Sequence, residues 1–167
     1  MKTISDNYVA KDSGPFELDH IDRKILNILQ ENNQITNIEL AERVGLSPPP
    51  CLRRVRLLRE RGIILQDVSL VDPKKVGKNF IVFLNVSLER QRNDMLESFE
   101  RRITQHPEVM QCYFVSGDYD YFLVIMVSNV EEYNDFVRRV LSTDPNLRIF
   151  RSSFALNRVS YSTKIEV

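Results

Sequence analysis

The chain has 167 residues, enough for one large domain or two small ones, and its 43% apolar and 28% charged content is ordinary for a globular protein. Acids and bases cancel to a net charge of zero, so bulk charge does not announce a nucleic-acid partner and only local clustering can. No stretch approaches the roughly 20 apolar residues of a membrane span, no signal-peptide core opens the chain, and the 2 cysteines and 2 histidines lie too far apart for metal-ligand spacing.

Residues 1–17 are polar, with Gly14 and Pro15 near their end, and read as a loose arm. Asp19 opens a first helix, with Asp22 favouring its positive end. Ile21, Ile25, Ile28 and Leu29 supply the i, i+4, i+7, i+8 stripe, and Leu26 widens it. Asn32 and Asn33 break the pattern. Thr36-Asn37-Ile38-Glu39 is a capping box, so a second helix starts there. Leu40, Ala41 and Val44 face inward, and Gly45 stops that helix by taking φ > 0 at the turn.

A third helix follows over residues 47–62. Ser47 is placed to cap it, its hydroxyl accepting from an orphan N–H of the first turn. Pro48, Pro49 and Pro50 follow, and Gly62 is the stop. Cys51, Leu52, Val55 and Leu58 gather on one side. Arg53 falls nearly opposite, with Arg54, Arg56 and Arg61 flanking the exposed arc. Guanidinium groups pointing outward suit phosphate or guanine edges. A solvated charged face is the plain alternative. The capping-box helix and the Gly45 turn before it make the set a helix-turn-helix, against a simple three-helix bundle. Residues 63–65 and 68–71 resemble short strands of a small wing or hairpin, and residues 65–78 form a linker ending in turn-rich Asp72-Pro73-Lys74-Lys75-Val76-Gly77.

The period then changes. Phe80–Leu88 alternates as a strand; Met95, Leu96, Phe99 and Ile103 mark a helix. Residues 112–115 form a strand, 117–120 a turn, and Tyr121–Val127 a strand. Tyr133, Phe136, Val137, Val140 and Leu141 keep helical spacing, and residues 149–156 form the last strand. The order βαββαβ is ferredoxin-like, so the fold class is α+β: a winged-helix-like helix-turn-helix at 18–64 and a ferredoxin-like unit at 79–167. Tyr121, Leu123, Ile125 and Val127 alternate with equally apolar Phe122, Val124 and Met126, so both sheet faces need cover. Two helices bury one. A second copy of the chain, sheet against sheet, covers the other, unless the helical half docks there.

The stretches Leu18-Asp19-x-Ile21-Asp22-x-Lys24-Ile25-Leu26, Val44-Gly45-Leu46-Ser47, Cys51-Leu52-Arg53-Arg54-Val55, Val115-Ser116-Gly117-Asp118-Tyr119-Asp120-Tyr121 and Tyr161-Ser162-Thr163 resemble the Lrp/AsnC, or feast/famine, family of bacterial and archaeal transcription regulators. The resemblance implies a cytoplasmic, nucleoid-associated, non-enzymatic regulator of double-stranded DNA. It implies homodimers through the effector (RAM) domains, often assembling to octamers. It also implies an amino-acid effector held by Gly117, Asp118, Tyr119, Asp120 and Tyr121, with no metal or other cofactor. The DNA-contacting candidates are Thr36, Asn37, Ser47, Pro49, Pro50, Arg53, Arg54 and Arg56. An architectural nucleoid protein without a specific effector is the alternative. No nucleophile–base pair or phosphate-cradling glycine motif supports an enzyme. The triple proline departs from the family pattern: it removes three donors from the helix start and moves the expected first turn toward Pro50.

Overall fold

A computed structural model describes residues 17–167. The arm read over 1–17 lies outside them but for Glu17. The chain forms two compact units. One is Leu70–Val159; the other joins the described residues through Ser69 to Ser160–Val167. The last eight residues, placed by sequence in the 79–167 unit, therefore pack with the helical unit.

The helical unit holds α1 (His20–Glu31), α2 (Asn37–Val44) and α3 (Pro48–Glu60). Asp19 caps α1 in a full capping box with Asp22, and Thr36 caps α2 in another with Glu39. Gly45, at φ 75°, turns the chain between α2 and α3. Ile25, Leu40, Ala41, Cys51, Val55 and Leu58 make the shared core. Ala41 lets α2 and α3 approach closely. Leu52, expected on the buried side, is instead partly exposed. It sits one residue off the Cys51, Val55, Leu58 stripe, and 100° of rotation carries it to the margin.

The strands read at 63–65 and 68–71 do not form. Leu65, Val68, Leu70 and Val71 are exposed. β-branched residues favour extended backbone, yet a strand needs a ladder partner, and none is supplied among the described residues.

In the second unit, β1 (Phe80–Leu88), α4 (Asn93–Ile103), β2 (Val109–Phe114), β3 (Tyr121–Val127), α5 (Val130–Phe136) and β4 (Leu147–Phe154) follow the expected order. The four-stranded antiparallel sheet runs β2-β3-β1-β4. β2 starts earlier than read and β4 ends earlier, because strand pairing rather than composition sets their limits. α5 widens into a π-helical turn at Val137–Leu141, where the sequence pattern reads as continuous α-helix. Val82, Leu84 and Val86 interleave with Tyr121, Leu123 and Ile125 on the face covered by Phe99, Ile103, Phe136 and Leu141. The opposite face carries a stacked Phe83–Phe122 pair, ring centroids 5.9 Å apart, and an exposed Tyr113.

Candidate DNA interface and effector loop

α3 is placed by its neighbours before it can meet any ligand. The Arg54 Nη1 donates to Asp19 Oδ2 at 2.7 Å and to Asp22 Oδ1 at 2.8 Å. One guanidinium thus ties the N-terminal cap of α1 to the middle of α3. The Asp22 side chain is 6% exposed, so this partner offsets much of the cost of burying its charge. The Asp19 carboxyl is held below its usual range, first by the Asp22 backbone N–H and also by Arg54. Arg54, read as flanking the exposed arc, is therefore a half-buried clamp with Nη1 committed inward.

Asn37 donates from Nδ2 to the Pro48 carbonyl at 2.9 Å, tying the starts of α2 and α3 together. The Thr36 hydroxyl accepts from the Glu39 N–H at 3.2 Å and donates to Glu39 Oε2 at 2.8 Å. That hydroxyl is the main cause holding the Glu39 carboxyl below its usual range.

Ser47 occupies the cap position of α3, yet its side chain makes no capping bond. The reason lies in the next three residues. A cap hydroxyl accepts from the second or third helical residue, and here those are Pro49 and Pro50, which have no N–H. α3 nonetheless begins at Pro48, not near Pro50. Proline φ suits the first turn, and the first intrahelical bond, Cys51 N–H to the Ser47 carbonyl at 3.3 Å, uses none of the missing donors. The helix start accordingly lacks backbone donors at its first three positions, with Ser47, Pro48 and Pro49 exposed. Arg53 and Arg56 project into solvent with no ion pair among the described residues.

In the second unit, residues 115–120 close the β2–β3 hairpin. The Val115 N–H meets the Asp120 carbonyl and the Asp120 N–H meets the Val86 carbonyl, both at 2.9 Å. Gly117 has φ 122°, a backbone region that disfavours a Cβ. The loop's side chains divide sharply. The buried Asp120 carboxylate accepts from the Leu88 N–H and from Gln91 Nε2, each at 2.7 Å. The Tyr121 ring is fully buried against Phe99 and Phe114, and its hydroxyl donates to Glu100 Oε1 at 2.8 Å. Burial, then Glu100, pushes that phenol far up. Gly117 and Asp118 stay exposed, and only the Asp118 carbonyl is held, by the buried Ser87 hydroxyl at 3.4 Å. Two of the five candidate residues, Asp120 and Tyr121, are thus anchors. Gln91 and Ser87 complete the anchoring; no spacing rule in the sequence links them to a loop about thirty residues away.

Residues 18–64 match a winged helix-turn-helix DNA-binding family, and residues 81–165 match the Lrp/AsnC ligand-binding domain. The chain belongs to the Lrp/AsnC family. It is similar to the leucine-responsive regulatory protein of Rhizobium meliloti, at 38% identity over 90% of this chain and 97% of that one. Its fold matches an AsnC-family transcriptional regulator from Agrobacterium tumefaciens with a TM-score of 0.85 and 36% identity, covering 89% of this chain and 96% of that one. A Neisseria meningitidis transcriptional regulator in complex with L-Met matches at TM-score 0.84 and 37% identity, with the same coverage. As an Lrp/AsnC member the chain is an effector-responsive DNA-binding transcriptional regulator and not an enzyme. No helix among the described residues is long and apolar enough to cross a membrane.

Proposed function

We propose that this regulator senses a free amino acid through the loop at 117–121 and answers with a change in assembly or DNA affinity. The observation that carries the reading is the division of that loop. Asp120 and Tyr121 are fixed inward, while Gly117 and Asp118 face solvent. An exposed carboxylate beside a glycine whose backbone a ligand can approach closely is suited to an α-ammonium and α-carboxylate pair. Tyr119 flanks them. The Neisseria relative bound to L-Met supports the ligand class. The stacked Phe83–Phe122 pair and Tyr113 support a homodimer built sheet on sheet, with octamers as the further assembly. Such a dimer presents two α3 helices to a two-fold operator. Arg53 and Arg56 supply groove and phosphate contacts there, with Ser47, Pro49 and Pro50 at the leading end. Thr36 and Asn37 act mainly by fixing the frame. The protein works in the cytoplasm, on the nucleoid.

The test is a thermal-shift screen of the full chain against the twenty amino acids. A ligand of the folded state adds about 2.7 kcal/mol at a hundredfold excess over Kd, so a true effector raises the melting point by several degrees. No shift with any amino acid removes the ligand class proposed here.

A further inference from the structure

The outward ridge of α3 has two halves of different chemistry. Pro49, Leu52, Arg53 and Arg56 stand at i, i+3, i+4 and i+7, so one stripe carries all four. All four are exposed, whereas Cys51, Val55 and Leu58 on the opposite side are buried. The trailing half, Arg53 and Arg56, offers guanidinium donors. The leading half, the side chains of Pro49 and Leu52, offers only carbon. Leu52 is 37% exposed there, although Cys51 beside it is fully buried. Pro48, Pro49 and Pro50 have no N–H, so the first turn cannot hold a phosphate through its backbone as an ordinary helix start does.

We propose that Pro49 and Leu52 read thymine methyl groups in the major groove, beside the contact made by Arg53. The inference rests on the reading of α3 as the groove-entering helix of the matched DNA-binding domain. In such a helix the N-terminal residues are the ones that meet base edges. The C5 methyl of thymine is the apolar feature that the groove floor presents, and it is recognised by carbon rather than by a donor. Proline suits the task, because it has no rotamer freedom to lose on burial. Charge points to the same partner: Arg53 and Arg56 share the stripe with the apolar pair and meet the polyanion that carries those methyls. Pro49 and Arg53 are about one turn apart, about 6 Å along the axis, which spans about two base-pair steps. The methyls read should therefore cluster within about three base pairs in each half-site.

The experiment uses genomic DNA fragments selected by their binding to the full chain, amplified once with thymidine and once with deoxyuridine, which differ only in the C5 methyl. In shift assays at one salt concentration the protein should bind the uracil fragment more weakly, by about fourfold for each methyl read, the weight of one buried CH2 group. Single thymine-to-uracil changes should place that loss in one short block per half-site. Leu52→Ala and Pro49→Ala should each bring the thymine-to-uracil ratio toward one with unchanged circular dichroism, whereas Arg53→Ala should weaken both fragments by the same factor. Equal binding of the two fragments overturns the proposal. If Arg53→Ala still weakens both, α3 stands as the reading helix; if it changes nothing, that reading falls as well. A ratio that neither Leu52→Ala nor Pro49→Ala alters assigns the methyl effect to DNA shape and overturns the proposal equally. The same unaltered ratio with a changed sedimentation coefficient overturns it by giving this face to a second copy.

Discussion

Removing the Arg54 guanidinium should unfold the DNA-binding unit more readily, apart from any effect on DNA. Arg54→Ala leaves the Asp22 carboxylate in a site where its side chain is 6% exposed. Among the described residues its remaining hydrogen bond is from the Asp19 N–H at 3.3 Å. A charge-assisted hydrogen bond to a buried group is worth about 1.5–3 kcal/mol. The second bridge, to an Asp19 side chain 44% exposed, adds about 0–1 kcal/mol. The expected loss is about 2–3 kcal/mol. For a unit of roughly 60–100 residues that lowers the melting point by about 10–20 °C. Urea unfolding followed by circular dichroism measures the loss, and Asp22→Asn in the Arg54→Ala background should recover part of it by neutralising the stranded charge. A loss below about 0.5 kcal/mol, the range of an ordinary surface substitution, would refute the clamp.

Arg53→Ala should do the opposite, leaving urea stability within about 0.5 kcal/mol while weakening operator binding about tenfold or more in a salt-controlled shift assay; unchanged affinity removes Arg53 from the interface. Gly117→Val forces a β-branched residue to φ 122°, a strain of about 1–3 kcal/mol in the loop. It and Asp118→Ala should blunt the effector response while effector-free DNA binding persists, and an intact response in both moves the pocket elsewhere. Phe122→Lys sets like charges across the proposed sheet-on-sheet interface and should shift sedimentation toward monomer; an unaltered dimer places the interface elsewhere. Asp19, Glu31 and Glu39 are held below their ordinary values of 3.8, 4.5 and 4.5. A depressed carboxyl contributes stability that is present above its unfolded value and lost as pH falls through its folded one. Stability of the DNA-binding unit should thus be level above about pH 5 and drop below about pH 4. In the effector unit Glu132, brought down to about 2 chiefly by Lys78, keeps its contribution to lower pH. A DNA-binding unit that gains stability on acidification contradicts this.

Most of the fold could be read from local signals. Capping boxes, the Gly45 turn and period-two strands each act within a few residues, and β1 and β3 fall where their alternation put them. The site was less legible, because its side chains are defined by partners far along the chain. Arg54 reads as another exposed arginine until Asp22, thirty-two residues earlier, is brought against it. Asp120 reads as a free acid until Leu88 and Gln91 meet it. Ser47 reads as a cap by residue type, although the prolines that leave its hydroxyl unbonded were in view. The strand-like 63–71 stretch shows the reverse case: its composition suits a strand that has no partner among the described residues.

DNase footprinting on genomic DNA fragments selected by their binding to the protein, with and without the amino acid that stabilises it, tests the central claim most directly. Discrete protected blocks, spaced by helical turns, should appear and change in extent or affinity with the amino acid. Continuous protection indifferent to the amino acid would contradict it and mark an architectural protein instead.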